Sequence, residues 1–459
     1  RVTDVVVIGF GAAGSSAAIE ASDAGAEVLV LEKMRKPGGA LSMAGGLVYA
    51  AGTSVQRAAG ITDTAEEMYN YSLAGDRVVK DPALVRIMAD QSGDAIEWLI
   101  ALGADFPPEE LSFTGAEREF AYVTPPRPRG HHFRTPPGHS RYTGYRLFAV
   151  LEKAVRARNI EVMLETAAKE LATNSMREVV GVKARSQGND LVIRARRAVV
   201  IADGGFAQNP EMIRQYLTNA PAVASGRIAR TSHPGQTGDG IRMAMALGAD
   251  LCDMAFSLAN IRPFVPVDSP SIFVNGDGRR FANERLPIPL GSTALDRQDS
   301  VAFQIFDDKA KREAVVPGSR LGRLVSAPTI GELASKLGLP SDRLEKTVQI
   351  WNRHSEMGED PEFGKTGSGV GPIGTSPFWG GALLRRLNIH SGGLKTNSKA
   401  QVLDALNGRP ISRLYAAGQN TGGRLGVFYP GAGSALTDCF VFGRIGGKNA
   451  AGETPIDGD

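Results

Sequence analysis

Three glycines near the start of the chain have the spacing of a phosphate-binding turn. Gly9, Gly11 and Gly14 follow a short apolar run and precede a run of small residues. In such a fingerprint the first glycine permits a tight turn, the second lets the backbone approach a pyrophosphate, and the third lets a helix pack against a strand. The phosphates then meet unpaired N–H groups at the start of that helix. The pattern therefore indicates a dinucleotide site.

An acidic residue supports this interpretation. Glu32 ends the second predicted strand, where its carboxylate can accept a hydrogen bond from a ribose hydroxyl group. The fingerprint alone fits either FAD or NAD. The segment that separates the two is the Gly- and Ser-rich loop over 33–46, which follows Glu32 directly.

Further short motifs are spread along nearly the whole chain. They are the loop 38–46, Ala202-Asp203-Gly204-Gly205-Phe206, Thr237-Gly238-Asp239-Gly240, the stretch 273–284, Gly392-Gly393-Leu394, Tyr415-Ala416-Ala417-Gly418-Gln419 and Gly433-Ser434-Ala435-Leu436 before Phe442-Gly443-Arg444. Together they resemble the fumarate reductase/succinate dehydrogenase flavoprotein superfamily. The resemblance implies an α/β fold, with a Rossmann-like FAD-binding domain of the glutathione reductase βαβ type and an inserted α+β cap domain. We expect the FAD-binding domain to comprise 1–249 and 381–459, and the cap to comprise 250–380.

The resemblance also implies which residues hold the cofactor. The assigned residues are Gly9, Gly11, Ala12, Ala13, Gly14, Glu32, Lys33, Gly39, Ala40, Ser42, Ala44, Gly45, Gly46, Ala202, Asp203, Gly204, Asp239, Gly418, Gln419, Ser434, Ala435 and Leu436. Some superfamily members attach FAD through a histidine in the first Gly-rich loop, but no histidine occurs between residues 1 and 130. We therefore expect non-covalent FAD. A second fingerprint is missing from the sequence, so electrons must be exchanged with an unknown external acceptor.

The segment before the last predicted helix distinguishes branches of the superfamily. Fumarate reductases carry a substrate-binding arginine there, and counting from Gly422 and Gly423 places Tyr429 at that position. Tyr429-x-Gly431-x-Gly433 resembles the 3-ketosteroid dehydrogenases instead. In that family the tyrosine hydroxyl and the N–H of the second glycine polarise a ketone oxygen. The resemblance thus implies catalytic roles for Tyr429 and Gly433.

The catalytic base is not identified in the same way. The 3-ketosteroid 1-dehydrogenases carry a base tyrosine shortly after the Asn-Glu pair of the cap, whereas this chain has Ile288 at that position. Tyr122, in an irregular segment over 105–146, is a catalytic candidate because a related tyrosine approaches the flavin in that family. The weaker candidates from the same segment are His131, His132, Tyr142 and Tyr145. In the cap, Arg285 and Arg297 are candidates for a general acid of the kind that fumarate reductases use.

The resemblance implies an FAD-dependent oxidoreductase acting on CH–CH bonds. The leading hypothesis is a dehydrogenase, or a reductase of the corresponding C=C bond, for a carbonyl-activated apolar substrate such as a cyclic ketone or 3-ketosteroid. One alternative is a fumarate reductase-like enzyme for an unsaturated carboxylate. Another is an electron-transfer flavoprotein with a degenerate catalytic site.

The elements that must position these residues form a βαβ unit at the start of the chain. We predict a strand over Val2–Ile8, a helix over Ser15–Ala24 and a second strand over Glu27–Leu31, which is the pattern of a buried parallel sheet. Another helix is predicted over Tyr145–Arg158. The two predicted strands both end where the cofactor residues begin.

Bulk composition excludes several other classes. Apolar residues make up 42% and charged residues 22%, as in ordinary globular proteins, and the net charge of +3 is too small to indicate a nucleic-acid partner. The two cysteines are far apart and form neither a disulfide framework nor a metal motif. No run of 18 apolar residues predicts a transmembrane helix. We expect a cytoplasmic protein with a small-molecule substrate and no metal.

Overall fold

The computed structural model divides the chain into two compact units. It describes residues 1–134, 143–217, 228–230, 232–261, 263–286, 290–291, 294–295, 297–298, 301–313, 324–383 and 385–456. Unit 1 comprises 1–217, 232–257 and 389–459, and unit 2 comprises 218–231 and 258–388. The segment expected to form the cap, 250–380, lies mostly in the longer stretch of unit 2, which runs from 258 to 388. Unit 2 also includes the separate stretch 218–231.

The described residues contain both strands and helices. The strands of the described chain are β1 Val2–Ile8, β2 Val28–Leu31, β3 Leu47–Tyr49, β4 Gly130–His132, β5 Glu161–Met163, β6 Thr166–Thr173, β7 Val179–Ser186, β8 Asn189–Ile201, β9 Ile228–Arg230, β10 Leu251–Cys252, β11 Ser257–Ile261, β12 Ser271–Asn275, β13 Ala302–Asp307, β14 Leu324–Ala327, β15 Phe378–Ala382, β16 Arg385–His390, β17 Gly393–Leu394, β18 Gln401–Leu403 and β19 Pro410–Ala416. The helices are α1 Ala12–Asp23, α2 Ser54–Ala58, α3 Ala65–Ala74, α4 Pro82–Asp90, α5 Ser92–Ala101, α6 Gly144–Ala157, α7 Pro210–Tyr216, α8 Asp239–Met245, α9 Asp308–Glu313, α10 Ile330–Leu337, α11 Ser341–Glu356 and α12 Ser434–Ala451.

A mixed sheet forms the centre of unit 1. Its parallel part has the strand order β19-β8-β1-β2-β5, and β18 pairs antiparallel to β19 at one edge. The strands β6 and β7 extend the sheet from β8 as antiparallel partners. Val5, Val6 and Val7 of β1 are all fully buried, as expected for a central parallel strand that is covered on both faces.

Unit 2 has a different architecture, with an antiparallel sheet in the order β12-β13-β15-β14. The helices α10 and α11 contribute apolar residues to the same core, including Leu333, Leu344 and Trp351. A buried ion-pair cluster of Arg280, Glu284 and Asp360 lies in this unit. Among the described residues, the helices are too short or too polar to span a membrane.

Candidate active site

Four predicted cofactor segments meet at one edge of the unit 1 sheet. Gly9, Glu32, Ala202 and Gly418 follow the ends of β1, β2, β8 and β19, which are neighbours in the parallel part of the sheet. The carboxyl ends of parallel strands lie at the same edge, and ligands of open α/β sheets bind in the crevice outside that edge. The topology therefore brings together segments that are up to about 400 residues apart in the chain.

The fingerprint has the geometry that its spacing predicts. Gly9 has a φ of +101°, a left-handed value that favours glycine. A Cβ on Gly14 would lie 1.9 Å from the carbonyl oxygen of Gly9, so this glycine allows the first turn of α1 to pack against the strand. Ala12 and Ala13 complete that turn and are buried.

Glu32 is tied to the fingerprint by backbone hydrogen bonds. Its Oε2 accepts from the N–H of Phe10 at 2.9 Å, and its Oε1 accepts from the N–H of Met34 at 2.8 Å. The side chain is buried, so these two bonds fix its orientation. Each carboxylate oxygen retains acceptor capacity, which suits a ribose hydroxyl group.

Lys33 and Asp239 form an ion pair beside this residue. Lys33 Nζ lies 2.8 Å from Asp239 Oδ2 and also donates to the hydroxyl of Thr237. Burial raises the pKa of Asp239, but its bonds to Lys33, Thr237 and Arg242 prevail and bring it to about 2. Asp239 is therefore ionised at neutral pH, and its bond to Lys33 fixes the start of α8 near the end of β2.

The Gly- and Ser-rich loop forms a 3-10 helix over Gly39–Met43 that includes Ala40 and Ser42. The hydroxyl of Ser42 donates to the carbonyl of Gly39 at 2.8 Å. Ala44, Gly45 and Gly46 then lead into β3, and the carbonyl of Gly45 accepts from the hydroxyl of Thr143 at 3.0 Å. The loop is thus held from within and by the start of α6.

Asp203 joins two segments at the same edge. Its Oδ2 accepts from the N–H of Gly240 at 2.7 Å, and its Oδ1 accepts from Asn420 at 3.2 Å. Burial raises the pKa of Asp203 to about 6, although these two bonds act in the opposite direction. Gly204 follows with a φ of +80°. Asp203 therefore holds the start of α8 and the segment after β19 together.

The segment after β19 is held by a side chain that sequence reasoning missed. Gln236 donates through Nε2 to Oε1 of Gln419. Gly418 has a φ of +83°, and a Cβ there would lie 2.9 Å from that of Ala13. Because Gln236 and Gln419 are 183 residues apart, no local pattern indicates this contact.

The first turn of α12 presents one unused polar side chain. Ser434 Oγ is buried without a hydrogen-bond partner among the described residues. Gly433 precedes it with a φ of +105°, and a Cβ there would lie 2.8 Å from the amide nitrogen of Tyr49. Ala435 is buried and Leu436 is half-buried. This helix start offers the Ser434 hydroxyl and the positive end of the helix dipole to an electron-rich ligand edge.

Tyr429 lies against the same helix start. Its hydroxyl oxygen accepts a hydrogen bond from the N–H of Ala435 at 3.0 Å, and the side chain is 5% exposed. Burial raises the pKa of Tyr429 well above its usual value, while the backbone N–H groups of Ala435 and Gly433 act in the opposite direction. The hydroxyl is therefore protonated at all physiological pH values. Since the backbone N–H groups engage lone pairs of the oxygen, the O–H proton remains a donor.

Arg424, the arginine of this segment, is engaged by other side chains of the protein. Its guanidinium pairs with Asp438 and donates to the hydroxyls of Thr421 and Thr396, the last at 3.1 Å. The side chain is 2% exposed. A buried arginine that is already neutralised by a carboxylate is a poor binder for a second carboxylate.

The other catalytic candidates have varied positions. Tyr122 is 81% exposed, with its ring centroid 5.9 Å from that of Phe120. His131 is buried between Thr53 Oγ1 and the carbonyl of Arg129, each at 2.8 Å. His132 contacts Ser112 Oγ at 2.8 Å. Tyr145 is 54% exposed, and Arg285 pairs with Asp268 at 3.0 Å. Tyr142 and Ile288 lie outside the described residues.

His390 has both ring nitrogens engaged. Nδ1 donates to the carbonyl of Gly392 at 2.9 Å, and Nε2 accepts from the N–H of Phe206 at 2.6 Å. Burial lowers the pKa of His390 to about 4. The neutral ring therefore has a structural role in fixing the segment after β8.

The residues at this edge fit FAD. A Cβ on Gly11 would meet only Gly38 and Gly39, at 3.8 Å, so space for a ligand is open before this glycine. Glu32 suits the ribose, and the start of α1 suits the pyrophosphate. The start of α12, with its unpartnered Ser434 hydroxyl, suits the electron-rich edge of an isoalloxazine ring.

Comparison with known proteins identifies the cofactor. The family model described as "FAD binding domain" matches residues 4–436. The chain belongs to this family. It is 32% identical to a probable fumarate reductase of Shewanella frigidimarina, over 98% of this chain and 75% of that protein. It is also 32% identical to urocanate reductase of Eggerthella lenta, over 98% of this chain and 74% of that protein.

A solved structure is similar along its full length. The 3-ketosteroid-Δ4-(5α)-dehydrogenase of Rhodococcus jostii RHA1 has a TM-score of 0.81 and 32% identity, covering 98% of this chain and 97% of that chain. The predicted superfamily, fold class and cofactor are thus confirmed. The chain is an FAD-dependent oxidoreductase acting on CH–CH bonds. The individual site residues remain predictions.

Proposed function

We propose that this flavoprotein dehydrogenates a 3-ketosteroid or similar cyclic ketone beside its carbonyl group, or reduces the corresponding C=C bond. The observation that carries the proposal is the position of Tyr429, whose buried hydroxyl lies against Ala435 at the start of α12. A neutral hydroxyl in this position suits a ketone oxygen. The similarity to a 3-ketosteroid-Δ4-(5α)-dehydrogenase, whose structure contains 4-androstene-3,17-dione, supports this substrate class.

The proposed chemistry depends on polarising the carbonyl. Tyr429 O–H, and Gly433 N–H as the resemblance implies, would donate to the ketone oxygen and stabilise the negative charge that develops when a base removes a proton from the α-carbon. The hydrogen bond from Ala435 polarises the tyrosine O–H and makes it a better donor. When bound, FAD would supply the hydride donor or acceptor for the β-carbon. The chain's own contribution is thus to hold the carbonyl and to stabilise the enolate-like charge.

The dicarboxylate alternative lacks its binding group in this loop. Tyr429 stands where fumarate reductases have an arginine, and the nearby Arg424 is paired with Asp438 in the interior. A bidentate clamp for a substrate carboxylate requires a guanidinium that is free to face the ligand. We therefore favour the ketone over fumarate, although relatives named for fumarate and urocanate reduction are equally similar in sequence.

The test is anaerobic mixing of the FAD-loaded protein with the saturated 5α-3-ketosteroid that corresponds to 4-androstene-3,17-dione. We expect loss of the oxidised flavin absorbance. Tyr429→Phe should slow this reduction by roughly 100-fold, as for removal of an oxyanion-stabilising donor, while FAD content is unchanged. If ketosteroids leave the flavin oxidised, and fumarate reoxidises dithionite-reduced protein, the carboxylate alternative is correct and the proposal is wrong.

A further inference from the structure

The backbone on the N-terminal side of Tyr429 is held by two buried charged side chains. Asp76 Oδ2 accepts from the N–H of Val427 and from the N–H of Phe428, the latter at 3.0 Å. Lys80 Nζ donates to the carbonyl of Phe428 at 2.8 Å, and also to that of Ser72 at 2.7 Å. The N–H and the carbonyl group of Phe428 are therefore both fixed by side chains from the segment between α3 and α4.

The loop is shaped to admit these two side chains. Gly426 has a φ of +63°, and a Cβ there would lie 2.0 Å from Asp76 Oδ2 and 2.7 Å from Lys80 Cε. Asp76 is 9% and Lys80 2% exposed. Burial lowers the pKa of Lys80 to about 8, while the carboxylates of Asp76 and Asp253 act in the opposite direction. The ammonium is thus mostly charged at neutral pH.

The C-terminal side of Tyr429 is held separately. Tyr71 donates its hydroxyl proton to the carbonyl of Pro430 and accepts from the N–H of Ala116 at 2.8 Å. Thr114 binds Ala432 twice, through its carbonyl at 3.1 Å and its hydroxyl at 3.1 Å. Tyr429 therefore lies between two anchored stretches, and its hydroxyl direction depends on both.

We propose that Asp76 and Lys80 are positioning residues, which orient the Tyr429 hydroxyl by fixing the backbone of Val427 and Phe428. This inference rests on the proposed function, because it assumes that Tyr429 holds the substrate carbonyl. Burying two charges to bind backbone groups is costly for stability alone, and apolar residues often serve as well. A role in geometry explains their presence, since a displacement of about 1 Å can reduce a rate by about 100-fold.

The test compares two variants. Asp76→Leu removes both carboxylate oxygens, whereas Asp76→Asn retains one side-chain oxygen in a similar position as an acceptor. The readouts are the flavin reduction rate and the apparent Kd for the 5α-3-ketosteroid, from anaerobic stopped-flow traces on FAD-loaded protein. We expect Asp76→Leu to slow flavin reduction by roughly 30-fold with little change in Kd, because displacement of the Tyr429 hydroxyl affects transition-state geometry. Asp76→Asn should lose about 3-fold, since the charge assistance is lost but the bonds remain.

A double-mutant cycle separates positioning from general destabilisation. If Asp76 acts through Tyr429, then Asp76→Leu in a Tyr429→Phe background should cause little further loss, because the group being positioned is already absent. If the rate losses of the two single variants multiply in the double variant, the inference is overturned and the proposed function is left standing. Equal losses for Asp76→Asn and Asp76→Leu would overturn it as well.

A second pair of variants covers the case in which Asp76→Leu does not fold. Gly426→Ala places a methyl group against Asp76 and Lys80, whereas Gly408→Ala has a similar φ of +67° but meets open space. Both variants carry the same left-handed strain, so only Gly426→Ala should slow flavin reduction. Equal rates in the two variants would contradict the anchoring of this loop by Asp76 and Lys80.

Hydrogen exchange tests the anchoring of the loop by Asp76 and Lys80 without an activity measurement. The amides of Val427 and Phe428, which donate to Asp76, should exchange at least 10-fold faster in Asp76→Leu or Gly426→Ala than in the FAD-loaded wild type, because these hydrogen bonds no longer protect them. Unchanged protection overturns the inference. If protection falls as expected but ketosteroids never reduce the wild-type flavin, the proposed function fails and the anchoring of the loop is retained.

Discussion

Gly11 and Gly14 belong to one fingerprint, but the structure separates their physical roles. A Cβ on Gly14 would overlap the carbonyl oxygen of Gly9, inside the protein, at 1.9 Å. A Cβ on Gly11 would make only ordinary contacts, at 3.8 Å, with Gly38 and Gly39. The third glycine of the motif therefore serves helix packing, and the second keeps the cofactor's space open.

Alanine substitutions should distinguish these roles. We expect Gly11→Ala to weaken FAD binding by roughly 10-fold or more with an unchanged unfolding midpoint, because its methyl group competes only with the pyrophosphate. Gly14→Ala should destabilise the protein by about 2 kcal/mol or more, since backbone must move to relieve the overlap. FAD titration and urea unfolding of each variant measure the two effects. Similar midpoints for both variants would contradict this assignment.

The glycines were predictable from sequence because the demand on each one is local. A turn, a close approach or a left-handed φ needs glycine whatever the rest of the chain does. The sequence also indicated Lys33 and Asp239 as cofactor residues, but it could not show that they pair with each other across 206 positions. Lys80 was missed for the same reason, because its bond to the carbonyl of Phe428 spans 348 positions.

At the scale of elements, α1 and α12 approach each other closely beneath the cofactor edge. A Cβ on Gly447 would lie 2.1 Å from the carbonyl oxygen of Ala17, and one on Gly443 would lie 2.6 Å from that of Ala13. These contacts explain the small residues on both helices, because larger side chains would separate the backbones. The packing links the start of α12, where Tyr429 is held, to the fingerprint helix.

Adjacent glycines of α12 offer a matched test of this packing. Gly447→Ala should destabilise the protein by about 2 kcal/mol, because the methyl group overlaps the backbone of α1. Gly446→Ala has its nearest neighbour, the Cβ of Ala400, at 3.5 Å. It should be neutral or stabilising by up to about 1 kcal/mol, the helix propensity gain of alanine over glycine. Thermal unfolding checks both variants, and equal losses would contradict close packing as the cause.

Element predictions were accurate where hydrophobic patterns are regular. The strand over Val2–Ile8 was predicted with the bounds that the structure has, and α6 begins at Gly144, one residue before the predicted start. The segment 105–146 was expected to be irregular, yet β4 forms within it by pairing with β3. Three-residue strands that pair across some 80 positions carry no periodic signal, because their stability comes from tertiary contacts.

At the scale of the whole molecule, several buried groups link stability to pH. Burial lowers the pKa values of His131 and His390 to about 4, so these rings bind fewer protons in the folded than in the unfolded protein between pH 4 and 6.5. Stability is therefore lost as the pH falls through this window. Burial raises the pKa of Asp203 to about 6, which has the opposite sign and partly offsets the histidines below pH 6.

We expect the free energy of unfolding to fall between pH 7.5 and pH 5, with each histidine contributing roughly 2 kcal/mol of loss and Asp203 offsetting about 1 kcal/mol. His390→Gln should be less stable at pH 7.5, because it disturbs the contacts with Phe206 and Gly392. It should nevertheless lose less on acidification, since one neutral ring that must gain a proton is gone. Urea unfolding of FAD-loaded protein at both pH values measures these differences. Parallel losses in the variant and the wild type would show that the acid sensitivity arises from other groups, because the pH-dependent cost of His390 exists only when the imidazole is present.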